Sequence, residues 1–204
     1  MTEAAAILGG YLLGSLPFAY WVPRLFRGED IRTKGSGNVG ASNVFRVYGW
    51  PLGAPVGLLD VAKGFAAASL GLWIGGALVG VLAAAAAMAG HARPIFLRFE
   101  RGGKMAATAG GATFALAPLV AAICLGVWIV TFAVSRYASV ATIATALSLA
   151  TLVVALEYPW PIAVFGVAGA AAVIAVHRQN IRRLLNGTEN RFEFRRSRGG
   201  GASV

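Results

Sequence analysis

The sequence predicts an all-α integral membrane protein of seven transmembrane helices, some short, with the N-terminus extracytoplasmic and the C-terminus cytoplasmic. Three observations lead there. First, apolar residues (AVILMFWYC) make up 57% of the 204 residues and Asp, Glu, Lys and Arg only 13%, with a mean hydropathy of +0.69. Soluble chains carry roughly 25% charged residues, so this one cannot clothe a globule in charge, and it is too apolar to be disordered. Second, the apolar residues gather in runs of span length, about 20 residues each. Third, Lys and Arg gather between alternate runs, as cytoplasmic loops do.

The runs are residues 4–25, 51–74, 75–90, 105–134, 137–156 and 159–177. The first has Glu3 before it and no basic flank, so it is expected to be a retained helix rather than a cleaved signal. Residues 75–90 are short for a span. Residues 105–134 are too long for one and carry Pro118 near the middle, where the backbone loses a hydrogen bond that lipid cannot replace. Charge decides the count. Arg24, Arg27, Arg32, Lys34 and Arg46 follow the first run, and Arg93, Arg98, Arg101 and Lys104 the third. Arg178, Arg182, Arg183, Arg191, Arg195, Arg196 and Arg198 follow the last, while the 75–76 and 157–158 turns carry no Lys or Arg. All three clusters, with Arg136, share one side only if the 105–134 run is two short helices broken at Pro118. That makes seven spans in one membrane domain, residues 1–194, followed by a basic, glycine-rich tail, 195–204, expected near anionic headgroups.

Small residues fit close helix packing, and Gly10-x3-Gly14 and Gly76-x3-Gly80 read as packing notches. The lone Cys124 excludes a disulfide framework and a cysteine metal cluster. Two histidines without a nearby carboxylate pair make a poor metal ligand set, so no metal or cofactor is expected. The net charge of +10 lies on membrane loops and does not call for nucleic acid.

Three stretches on the basic side carry chemistry. Residues 34–46 (KGSGNVGASNVFR) contain the outline of a dinucleotide fingerprint at Gly35, Gly37 and Gly40, and of a phosphate loop. The first lacks its preceding buried strand and the second has Ala41 where the lysine belongs, so neither nucleotide site follows. The glycines still let successive N–H groups face one anion. Ser36, Asn38, Ser42 and Asn43 add neutral donors, and Arg46 a planar fork suited to phosphate. Residues 91–104 (HARPIFLRFERGGK) seat Phe96, Leu97 and Phe99 in the interface. They end on Gly102-Gly103-Lys104 before a helix, a second anion-binding arrangement. In residues 177–189 (HRQNIRRLLNGTE), His177, Asn180 and Leu184 share a helical face, and Asn186-Gly187 reads as the helix stop. Asp60 and Lys63 lie inside a span, i and i+3 apart, as an ion pair or as site lining.

Together these stretches resemble the bacterial PlsY-type acyl-phosphate:glycerol-3-phosphate acyltransferase family. Its first motif is similar to Gly35-Ser-Gly-Asn-x-Gly-Ala-Ser-Asn-x-x-Arg46, with Ser42 where threonine is usual. Its second resembles His91-x-x-Pro-x-Phe-Leu-x-Phe-x-x-Gly-Gly-Lys104, and its third His177-x-x-Asn-Ile-x-Arg-Leu-x-x-Gly-x-Glu189. The 60–64 segment (DVAKG) fits too, and Met105 departs from the family's usual glycine.

The resemblance implies transfer of a fatty acyl group from acyl-phosphate to the 1-hydroxyl of glycerol 3-phosphate. That would take place at the cytoplasmic face of the bacterial inner membrane, in a monomer among membrane lipids. It implies a catalytic set of Lys104, His177, Asn180 and His91. The phosphate-binding set is Gly35, Ser36, Gly37, Asn38, Gly40, Ser42, Asn43, Arg46, Gly102, Gly103, Lys63 and Arg183. Which loop takes which phosphate stays open. The main rival, a transporter of a small phosphorylated anion, needs polar access from both faces. The short, nearly uncharged outer turns do not offer it.

Overall fold

The computed structural model describes residues 1–192, and these are helical with no strand among them. The expected tail, 195–204, lies outside the described residues. Among the described residues nine α-helices run in order: α1 Thr2–Gly14, α2 Phe18–Arg27, α3 Ala41–Tyr48, α4 Trp50–Ala92, α5 Ala106–Leu116, α6 Pro118–Ser135, α7 Ala138–Ala155, α8 Trp160–Val176 and α9 Arg178–Leu185. Four helical stretches among the described residues are long and apolar enough to cross a membrane, and five if the bent pair α8–α9 is counted as one span.

Several breaks fall where the sequence places them. Long α4 is interrupted at Gly75-Gly76, where Gly76 takes a left-handed φ of 69°. Its two halves fold against each other, since a Cβ on Gly71 would come within 2.6 Å of the Val79 carbonyl oxygen. Ala117 leaves helical geometry and Pro118 starts α6, so the 105–134 run is two helices, as proline at a first helical position favours. Asn186 follows the last residue of α9.

Two elements differ from expectation. The 4–25 run is two helices, because Ser15-Leu16-Pro17 ends α1 and α2 starts at Phe18. Pro17 has no N–H to donate back to Leu13, so the ladder cannot pass through it. The second half of the 34–46 stretch is helix α3, started by an extended Gly40, rather than open loop.

Close packing through small residues joins the layers. A Cβ on Gly14 would overlap the Ala87 carbonyl oxygen, and one on Gly10 would stand 2.5 Å from that of Ala83, which sets α1 against the second half of α4. Gly64 and Gly111 likewise leave no room for a Cβ where α4 crosses α5. Gly80 packs on Leu72, but Gly76 meets nothing. Its role is the turn, not a packing notch. The main core runs through Ala84, Met88, Ala112, Val120, Leu149, Val153 and Phe165, and so joins α4 to α8.

Candidate active site

The 34–40 loop is shaped by Asn43. Its Oδ1 accepts the Ser36 N–H at 2.9 Å, and its Nδ2 donates to the carbonyl oxygens of Lys34 at 3.0 Å and Asn38 at 3.1 Å. Gly35 and Gly37 take positive φ, which lets the chain curl round this amide. Asn43 is buried and spends its polar atoms on the loop itself, so it shapes the concavity and offers no donor to a ligand. Ser36 and Ser42 are exposed on that loop and on α3, with Asn38 and Gly40 between them.

Arg46 leaves α3 half-buried and lies over the Phe192 ring, 4.9 Å from its centre. Its Nε has no hydrogen-bond partner among the described residues. Facing it from the second stretch is Lys104, whose ammonium donates to Asn180 Oδ1. That bond fixes the Asn180 amide, whose Nδ2 donates to Glu189 Oε1 at 2.6 Å. Ser139 Oγ donates to the same oxygen at 2.8 Å, and Arg183 Nε to Oε2 at 2.7 Å. Burial would raise the Glu189 pKa, but the bonds from Asn180, Arg183 and Ser139 outweigh it and hold the carboxyl below its usual range. Burial pushes Lys104 down to about 8; Glu189 opposes this, while Arg183, Arg101 and Arg46 add to it. Several cations share one carboxylate here, an excess of positive charge suited to an anion. His177 is buried beside them, and its Nδ1–H donates to the Val173 carbonyl oxygen at 2.7 Å. The neutral ring then carries its free lone pair on Nε2.

An apolar groove of about 750 Å³ opens from this cluster. Ser42, Phe45 and Phe192 stand at its mouth, and α4, α5, α6, α7 and α8 form its walls down to Leu149 and Phe165. Phe192 belongs to both parts: its ring carries Arg46 and lines the groove.

Comparison with known proteins agrees with this geometry. A family profile described as glycerol-3-phosphate acyltransferase matches residues 4–187. The chain belongs to the glycerol-3-phosphate acyltransferase family. One relative, the glycerol-3-phosphate acyltransferase of Synechococcus sp. (strain JA-2-3B'a(2-13)), is 45% identical over 192 residues, covering 94% of this chain and 96% of the relative. That of Roseiflexus sp. (strain RS-1) is 45% identical over 201 residues, covering 95% and 97%. Among solved structures, the glycerol 3-phosphate form of PlsY, an integral membrane glycerol 3-phosphate acyltransferase, superposes with a TM-score of 0.90 at 37% identity. It covers 95% of this chain and 96% of that one. Its lysophosphatidic acid form gives 0.87 at 36%.

In this acyltransferase the expected residues divide into two groups. Arg46, Lys104, His177, Asn180 and Arg183 gather around Glu189, beside Phe192 of the groove, while the 34–40 loop reaches through Val39 into the pocket of Lys63 and His91. Lys63 and His91 do not join them. Lys63 is buried, paired with Asp60 at 2.8 Å, and donates to the Leu16 carbonyl oxygen at 2.9 Å. His91 Nδ1 faces Asp60 at 3.6 Å. The Gly102 and Gly103 amides are also spent, on the Ala92 and His91 carbonyl oxygens at 2.9 and 3.0 Å. The amides open to an anion are therefore those of the first turn of α5, which have no intrahelical acceptor. Sequence reasoning left out Glu189, Ser139 and Phe192. Glu189 carried one signal, its place at the end of the third motif.

Proposed function

We propose that this integral membrane acyltransferase moves a fatty acyl group from acyl-phosphate to the 1-hydroxyl of sn-glycerol 3-phosphate, giving lysophosphatidic acid and inorganic phosphate. The observation that carries the reading is the junction at Phe192, where a groove sized for an acyl chain meets a cationic cluster. A phosphate monoester with a long apolar tail has these two halves. Arg46 and the 34–40 loop take one phosphate, and Lys104 with the first turn of α5 takes the other or the charge growing on the acyl carbonyl oxygen. His177 Nε2 accepts from the glycerol hydroxyl and Asn180 holds Lys104 in place. The enzyme sits as a monomer in the bacterial cytoplasmic membrane, with seven spans: α1, the two halves of α4, and α5 to α8. The three basic clusters, and with them the site, face the cytoplasm.

The test is purified protein given acyl-phosphate and labelled glycerol 3-phosphate. Labelled lysophosphatidic acid and inorganic phosphate should form in equal amounts. Acylation from a thioester or ester donor alone, with acyl-phosphate inert, would refute the donor assignment.

A further inference from the structure

Behind the second anion-binding loop lies a buried group that the proposed reaction does not use. Asp60, Lys63 and His91 are 1%, 4% and 6% exposed. Charges inside a membrane helix are costly, so a bare ion pair needs a reason to be there. Lys63 has one: its ammonium donates to the Leu16 carbonyl oxygen at the α1–α2 break, which otherwise accepts only the Phe18 N–H at 3.1 Å. Asp60 Oδ1 does not have one in Lys63 alone. The ammonium lies 2.8 Å away without aligned hydrogen-bond geometry, and the oxygen's other neighbour is His91 Nδ1.

The imidazole edge opposite Asp60 points at the diglycine. A Cβ on Gly103 would overlap His91 Nε2, so the Gly103 backbone lies directly against the ring. The Gly102 and Gly103 amides bond the last carbonyls of α4, including that of His91 itself. Two adjacent glycines have the most backbone freedom of any pair, and a loop built from them keeps one path only if something outside it imposes that path. The residue that follows is Lys104.

We propose that His91, held by the Asp60–Lys63 pair, is a positioning residue that templates the Gly102-Gly103 turn and thereby fixes the reach of Lys104 toward the substrate phosphate. It acts through Lys104 and does not itself touch substrate. The assignment rests on the reading of the site given above.

The test is binding of glycerol 3-phosphate, by calorimetry on detergent-purified full-length protein, in a double-mutant cycle. His91→Ala should weaken binding about tenfold when Lys104 is present and less than twofold in a Lys104→Ala background, because coupled neighbours are not additive. Asp60→Asn, which keeps the shape and releases the imidazole, carries the same test should His91→Ala not fold. Equal losses in both backgrounds, or unchanged binding, would overturn the proposal and leave His91 a packing residue. Failure of the unaltered protein to bind glycerol 3-phosphate would instead refute the functional reading on which it rests.

Discussion

Lys104 should give the enzyme an alkaline limit near pH 8. Burial brings its ammonium from an ordinary 10.5 down to about 8, and Glu189 only partly opposes that. The sign follows directly: below this value the side chain is cationic and attracts phosphate, and above it the charge is lost. At pH 9 about a tenth of the free enzyme keeps the charge, so kcat/KM for glycerol 3-phosphate should fall roughly tenfold per pH unit beyond the limit. The second phosphate ionisation lies near pH 6, so the substrate's own charge is constant over that range. A bound dianion raises the Lys104 pKa, which moves the limb of kcat to higher pH than that of kcat/KM. Initial rates from pH 6.5 to 9.5 measure both limbs. Lys104→Arg, which keeps its proton throughout, should retain measurable turnover and lose the limb. An unchanged limb in that variant would show that some other group titrates and that Lys104 is not the charge on which binding depends.

Other outcomes follow from the same geometry. Arg46→Ala should cut kcat/KM tenfold to a hundredfold, the worth of a charge-assisted bond of about 1.5–3 kcal/mol. Arg46→Lys should also lose activity, since an ammonium gives neither the planar fork nor the stack on Phe192; wild-type rates in both would remove Arg46 from the site. Met105 has a φ of 65°, the left-handed backbone that favours glycine, yet its side chain is buried in the main core. Met105→Gly would relieve about 1–2 kcal/mol of strain and lose about 2–5 kcal/mol of packing, so the thermal midpoint should drop, and a rise would contradict this balance. Tyr158→Cys in a Cys124→Ala background should react with an impermeant thiol reagent in intact cells; protection there, with labelling of a C-terminal cysteine, would reverse the orientation.

Much of the fold was legible because lipid imposes it: apolar runs, their lengths and the sidedness of arginine are linear properties of the chain. The break at Pro118 was legible through charge sidedness, whereas the break at Pro17 lay inside an acceptable run with no charge to expose it. The candidate site was legible as three motifs but not as a geometry. Composition announces donors without saying who takes them. Asn43 and the diglycine amides look like ligands for an anion, and each is consumed by its own backbone. Glu189 was hidden for the opposite reason. A lone carboxylate past a helix stop reads as surface until α7 and α9 bring Ser139, Arg183 and Asn180 onto it.

These contacts also bear on whether the acyl group rests on the enzyme during transfer. A covalent relay needs a nucleophile with a base in reach. Cys124 lines the groove, but it lies eleven residues before α6 ends at Ser135, roughly 16 Å along the helix. Its thiol points to the Thr145 carbonyl oxygen at 3.8 Å. A histidine backed by a carboxylate does exist, His91 with Asp60, yet its far nitrogen abuts Gly103 rather than a hydroxyl. His177 has the free Nε2, and among the described residues no hydrogen bond joins it to a serine or to Cys124. Acyl-phosphate already carries a good leaving group, so the enzyme's part is to align hydroxyl and carbonyl and to stabilise the charge that forms. Both substrates must then occupy the groove mouth together, and initial-rate patterns should intersect, with no label left on protein incubated with labelled acyl-phosphate alone. An acyl adduct on Ser36, Ser42 or Cys124 that forms at the rate of turnover and is chased by glycerol 3-phosphate would replace direct transfer with a two-step path.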